Sequence, residues 1–166
     1  MLVLGLDPGS RHTGYGFVEK RGPALTMIEA GTFSCPAKEP VPQRLSYLSR
    51  ELTDLVARRP PDTVVVEAPF HGLNARSLIV LAQARGALLA VVGEAYEVRE
   101  YSPAEVKSAV TGSGHAGKDQ VARMVRLLLG VKEPLSSDAT DALAVAICGA
   151  QRARMERISA PKRRRK

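Results

Sequence analysis

Met1-Leu2-Val3-Leu4-Gly5-Leu6-Asp7 is an unbroken apolar run that ends in an acid. A strand with one wet face alternates apolar and polar residues. One without alternation is buried on both faces and belongs inside a sheet covered on two sides. Beyond it, Pro8 to Gly14 has the chemistry of a turn, and Tyr15 to Glu19 returns as a second strand. Ala24 to Ser34 offers a third, with Gly22-Pro23 marking the hairpin. Leu45, Leu48, Leu52, Leu55 and Val56 recur at helical spacing, and Pro60-Pro61 stops that helix. Thr63 to Glu67 (TVVVE) is a β-branched run of the kind found in buried parallel strands, and it too ends in an acid.

Asn74 is placed to cap a helix reaching about Val92. Its small residues around Ala82, Gly86 and Ala90 suit either close packing on the sheet or contact with a second copy of the chain. Glu97 to Tyr101 reads as a fifth strand. Ser102-Pro103-Ala104-Glu105 is a capping box with proline at the first helical position. Thr111 to Gly117 forms a loop before a helix over Lys118 to Leu129, and a last helix starts at Ser136 or Ser137. Three strands in hairpin order, followed by strands alternating with helices, predict an α/β fold: a five-stranded mixed sheet with helices on both faces.

At 166 residues the chain has the length of one domain, and its 45% apolar and 25% charged content is globular rather than disordered. No uninterrupted apolar run reaches the ~18 residues of a membrane span, and no signal-peptide pattern opens the chain. Cys35 and Cys148 are too few for a disulfide scaffold. A soluble, cytoplasmic protein without membrane contact is expected. The net charge of +7 is unevenly spread. Eight of the 24 basic residues and one of the 17 acids lie at 152–166, so residues 1–151 carry 16 of each and no net charge. The expected organisation is one domain over 1–151 and a basic tail over 152–166, mobile past Pro161, able to hold polyphosphate or merely to solubilise.

Four acids stand at informative positions. Asp7 and Glu67 end apolar strands; Asp138 and Asp141 are three apart at the start of the last helix and share a face. The apolar stretch Ala142 to Ile147 that follows marks this helix as interior. Ionised groups in such surroundings need compensation, which a helix N-terminus supplies only in part. A cation held by oxygen ligands alone is a hard one, Mg²⁺ or Mn²⁺ in its place, and two such ions can drive hydrolysis of a phosphodiester.

Each acid also has an ordinary reading. Asp7 can shape an Asp-Pro-Gly turn, Glu67 can pair with an arginine, and Asp138 can cap a helix. Jointly these readings require a coincidence. The segment Gly112 to Lys118 has phosphate-loop spacing, but Asp119 replaces the hydroxyl and a helix, not a strand, precedes it. Asp7-Pro8-Gly9-Ser10 resembles the phosphate hairpin of actin-like ATPases and sugar kinases, which need two such lobes. His12, His71 and His115 have no ligand spacing with one another, and His115 is at most a phosphate contact.

The motifs taken together resemble the RuvC family of crossover-junction endodeoxyribonucleases, within the ribonuclease-H-like superfamily. They are Gly5-Leu6-Asp7-Pro8-Gly9-Ser10-Arg11, Thr13-Gly14-Tyr15-Gly16, Val66-Glu67 with Phe70, Asn74, Gln83-Ala84-Arg85-Gly86, Glu100-Tyr101, Val106-Lys107, Lys118 and Asp138-Ala139-Thr140-Asp141-Ala142-Leu143-Ala144. The resemblance implies a homodimer that nicks two opposed strands of a four-way (Holliday) DNA junction during recombinational repair, leaving ends that can be ligated. It implies that Asp7, Glu67, Asp138 and Asp141 are catalytic metal ligands, that Phe70 stacks at the junction centre, and that Lys107 and Lys118 hold phosphate. RuvA and RuvB would be its branch-migration partners. Arg76 is a further candidate for DNA contact, though an arginine or lysine on a helix face is more often simply solvated. Ala68-Pro69 departs from the family's usual glutamine after the glutamate, which stiffens the approach to Phe70. Two other functions fit part of the pattern: a ribonuclease-H-like nuclease acting on RNA or DNA–RNA hybrids, and a junction-binding protein in which the acids are structural.

Overall fold

The computed structural model describes residues 1–36, 38–68 and 74–159, with side chains to Arg152. Phe70 and the tail from 160 lie outside the described residues. Strand β1 (Leu2–Asp7) is the middle of a five-stranded sheet whose other strands are β2 (His12–Arg21), β3 (Ala24–Ser34), β4 (Thr63–Glu67) and β5 (Val98–Tyr101), in the order β3-β2-β1-β4-β5. The β1–β2 and β2–β3 pairs are antiparallel, and β1–β4 and β4–β5 are parallel. The sheet is mixed, as the order of strands and helices along the chain predicts.

Five helices cover it: α1 (Val41–Arg58), α2 (Ala75–Val92), α3 (Pro103–Thr111), α4 (Lys118–Leu129) and α5 (Ser137–Ser159). Side-chain alternation along β1 sorts them into two layers. Leu4 and Leu6 join Val64 and Val66 in a core closed by Leu48, Leu52 and Leu55 of α1 and Leu88 of α2. Val3 and Val65 point the other way, into a core closed by Val106 of α3, Val125 of α4 and Leu143 and Ile147 of α5. Because both faces of β1 are buried, its sequence shows no alternation. For the same reason α5 is apolar all round from Ala142 to Cys148: it lies between the sheet and α3–α4.

Two boundaries differ from expectation for physical reasons. Strand β2 begins at His12, inside the stretch read as a turn, because Gly14 is not a turn residue. It pairs with Asp7, and a Cβ at this position would collide with the backbone carbonyl of Asp138. Gly5 likewise clears the backbone of Ala142 and Ala146. These glycines let α5 lie directly on the sheet. Helix α1 starts at Val41 rather than near Leu45, with Pro42 in its first turn, where a missing N–H breaks no helical bond.

The helix starts follow the sequence signals. Asn74 accepts from the Ser77 amide at 2.9 Å. The Ser102–Glu105 box is complete, with the Ser102 amide donating to Glu105 Oε2 at 2.9 Å and the Glu105 amide to Ser102 Oγ at 3.3 Å. Helix α5 runs across the position where the basic tail was expected to begin. Arg152 donates to Glu105 Oε1 at 2.8 Å and lies over the Tyr101 ring, 5.1 Å from its centroid.

Candidate active site

The strand order brings the acids together. Asp7 and Glu67 follow Leu6 and Val66, which are register partners in parallel β1 and β4, so both acids emerge at the same edge of the sheet. By alternation with Val3 and Val65 they face α5. The start of α5 lies over this edge, since the carbonyl of Asp138 sits against Gly14, the register partner of Asp7. All four acids are half-buried.

Their mutual influence is visible in their protonation. Burial, then the charges of Glu67, Asp141 and Asp138, push the Asp7 carboxyl up to about 7, against the opposing pull of Lys118. Glu67 is raised by burial and by Asp141, with Lys107 and Lys118 acting in the opposite sense. Lys118, the first residue of α4, places Nζ 2.9 Å from Asp141 Oδ2. That hydrogen bond holds its own pKa up, so this 69% exposed lysine is charged at neutral pH. Lys107 is half-buried on α3 and close enough to act on Glu67. Arg76 is exposed in the first turn of α2 and makes no ion pair among the described residues.

Other groups carry the ordinary roles considered for three of the acids. The turn after Asp7 is organised by Thr13, whose fully buried hydroxyl donates to the Gly9 carbonyl at 2.7 Å and accepts from the Gly9 amide at 3.3 Å. Arg44 adds a bond to Ser10 Oγ at 2.9 Å. Glu67 has an arginine nearby, but Arg85 donates to its backbone carbonyl at 2.7 Å and forms its ion pair with Glu100, not with the Glu67 carboxylate. The cap of α5 is Ser136, whose Oγ accepts from the Ala139 amide at 3.3 Å, so Asp138 is free of that task.

What the site fits follows from its donors. Oxygen-only ligands and an acid whose ionisation is opposed by three others suit a hard divalent cation. Among the described residues, no three His, Cys, Asp or Glu side chains close on one point as positioned, and one of the four carboxylates is paired with the Lys118 ammonium. The acids are near enough to act on one another's ionisation, without closing on a common point as positioned.

The family model for crossover junction endodeoxyribonuclease RuvC matches residues 3–149, which include every one of these acids. The chain belongs to the RuvC family. It is 45% identical over 150 residues to the RuvC of Dehalococcoides mccartyi, covering 89% of this chain and 90% of that one. To the RuvC of Anaeromyxobacter dehalogenans it is 50% identical over 149 residues, covering 89% and 80%. The structure of T. thermophilus RuvC in complex with a Holliday junction substrate superposes with a TM-score of 0.87 at 36% identity, covering 93% of this chain and 96% of that one. The yeast mitochondrial Holliday junction resolvase Ydc2 shares the fold alone, with a TM-score of 0.69 at 15% identity. The architecture is the ribonuclease-H-like one that the family resemblance implied.

Three participants escaped sequence reading at the level of their contacts: Thr13, Arg44 and Arg85. Each acts on backbone or on an acid distant in sequence; the Thr13-Gly14-Tyr15-Gly16 and Gln83-Ala84-Arg85-Gly86 motifs contain two of them, and nothing pointed to Arg44. The stripe on α2 is resolved in one direction. Ala84, Arg85, Leu88 and Val92 face inward, whereas Ala82, Gly86 and Ala90 are exposed beside Ile79, itself 60% exposed. A Cβ at Gly86 would meet nothing within 4 Å, so close packing on the sheet does not explain the small residues. By length and mean hydropathy, 1.5, α2 would pass as a membrane span, although it carries Arg76 and the buried Arg85.

Proposed function

We propose that this chain is a Mg²⁺-dependent endonuclease that resolves four-way DNA junctions by paired, symmetric nicks in recombination and repair. The observation that carries the reading is the convergence of Asp7, Glu67, Asp138 and Asp141 from three separate elements, in a chain matched to the junction nucleases from residue 3 to residue 149. In this reading the four carboxylates hold the divalent ions, with Mn²⁺ able to substitute. Bound there, such ions supply Lewis acidity and ease ionisation of the attacking water. The chain's own groups do the rest. The acids fix where phosphorus must lie, and Lys118 and Lys107 set positive charge beside the phosphate as charge builds on its oxygens. Water adds to phosphorus, one P–O bond of the backbone breaks, and the departing oxygen leaves with a proton. Phe70 would stack at the junction centre and Arg76 would contact DNA.

One site per chain cannot cut two strands at once, so a second copy is required. The exposed stripe Ile79, Ala82, Gly86 and Ala90 is the face we assign to it, since small residues allow close helix approach. RuvA and RuvB are the proposed motor partners, and the cytoplasm, where chromosomal DNA is reached directly, the place of action.

Purified protein with Mg²⁺ is expected to nick a synthetic four-way junction at symmetric positions and to spare linear duplex. Equal cutting of duplex or of a DNA–RNA hybrid would instead favour a general ribonuclease-H-like nuclease. Tight junction binding without any cutting in Mg²⁺ or Mn²⁺ would leave a passive binder.

The basic tail is proposed to add non-specific affinity. Because Arg152 is tied to Glu105, the informative truncation falls after Ser159, removing Lys162, Arg163, Arg164, Arg165 and Lys166. Each phosphate contact contributes ~0.9 to the slope of log K against log salt, so the slope should fall by about 2–4 while the preference for junction over duplex is kept. Equilibrium binding across a salt series checks this, and an unchanged slope would assign the tail no DNA contact.

A further inference from the structure

Arg85 is the one buried arginine among the described residues, 8% exposed, and its two nitrogens are spent on two different strands. Nη1 donates to the Glu67 carbonyl at the end of β4, and Nη2 stands 2.7 Å from Glu100 Oε2 on β5 in an ion pair too bent to be a hydrogen bond. The other side of this strand end is held by β5, where the Ala68 amide donates to the Tyr101 carbonyl at 2.8 Å. Beyond Glu67 the strand pairing stops, so the backbone that carries the Glu67 carboxylate depends on these few bonds. Arg85 reaches the Glu67 backbone carbonyl and forms its ion pair with Glu100, not with the Glu67 carboxylate. A guanidinium that reaches the backbone but does not govern the carboxylate acts through position.

We infer that Arg85 is a positioning residue for Glu67, a buried brace that locks the end of β4 to α2 and so sets where this carboxylate meets the other three. A planar fork holds a carbonyl and a carboxylate at once in a fixed geometry, whereas a lysine ammonium keeps the charge and the donors without that rigidity. Since α2 also carries the stripe assigned to the second copy, the brace links that helix directly to the acidic site. The cleavage part of the test rests on the function proposed above; the metal-binding part does not.

The test compares wild type, Arg85→Met, Arg85→Lys and Glu100→Ala, all well below their melting temperatures. It reads Mn²⁺ affinity by calorimetry, single-turnover cleavage of a four-way junction at saturating protein, and junction affinity in EDTA. Groups that orient metal ligands from behind are typically worth 10–100-fold, so Arg85→Met should weaken Mn²⁺ binding and slow cleavage by about that factor. Junction affinity in EDTA should stay within about threefold, and Arg85→Lys should recover part of both losses. Wild-type Mn²⁺ affinity and rate in Arg85→Met would overturn the inference. So would a lysine variant no better than the methionine one, or a junction affinity that falls in parallel, since either marks general structural damage. If Arg85→Met does not fold, Glu100→Ala decides: a loss of Mn²⁺ affinity of about threefold or more supports the brace, and none overturns it. A wild-type protein that binds Mn²⁺ but cuts no junction would defeat the proposed function while leaving Arg85 to be judged on Mn²⁺ binding alone.

Discussion

Asp7→Asn is expected to cut junction cleavage by about 100–1,000-fold, the scale of removing a group that stabilises charge in the transition state, while the metal-free protein becomes harder to unfold. The two effects have one cause. The Asp7 carboxyl is pushed from an ordinary value of 3.8 to about 7 by burial and by Glu67, Asp141 and Asp138. With its folded pKa raised, the native state holds this proton more tightly than the unfolded chain does. Stability from this group is therefore complete below about pH 4 and is lost as pH rises toward 7. At 1.36 kcal/mol per pKa unit, the ionised group costs the metal-free fold on the order of 4 kcal/mol above neutrality. Asparagine, neutral throughout, escapes that penalty. Urea unfolding in EDTA should show Asp7→Asn ahead of wild type at pH 8 and level with it near pH 4. Junction affinity without metal should be close to unchanged. Retained cleavage by a clean preparation, or a stability gain independent of pH, would contradict this account of the site.

Gly14→Ala should damage both fold and function although it adds a single methyl group. The added carbon would collide with the Asp138 carbonyl, and its neighbour there is backbone rather than a flexible side chain. Either β2 moves, losing its pairing with Asp7, or the start of α5 lifts from the sheet. Overpacking of this kind costs about 1–3 kcal/mol, occasionally more. A shift of about 1 Å in Asp138 and Asp141 relative to Asp7 can lower a rate about 100-fold. Thermal unfolding and single-turnover cleavage of the same preparation would measure both. An alanine variant with wild-type melting temperature and rate would mean that α5 does not approach β2 as closely as described.

The candidate acids stand out in the sequence because each breaks a local rule. Asp7 and Glu67 are charges at the ends of runs otherwise free of charge, and Asp138 and Asp141 open a helix apolar on every side. Their ordinary roles looked equally good when each was considered alone. What weighs against those roles is where other groups sit: Thr13 in the turn, Arg85 on the Glu67 carbonyl with its ion pair to Glu100, and Ser136 at the helix cap. Gly14 of β2 was misread for a related reason. Locally, Gly14 looks like a turn residue; its purpose is set by a helix more than 120 positions away in the chain.

Periodicity and punctuation, which depend only on near neighbours, were enough to specify the five strands, the helix starts other than that of α1, and the unalternating β1 that demands cover on both sides, though not where β2 begins. The neutral body with its surplus charge confined to 152–166 is likewise a property of the chain read as a string. Which face of α2 is wet, that Arg152 belongs with Glu105, and that Arg85 spans two strands depend on where distant segments meet. Backbone carbonyls and buried guanidinium groups leave no periodic trace, because the partner of each is chosen by the folded arrangement and not by its place along the chain.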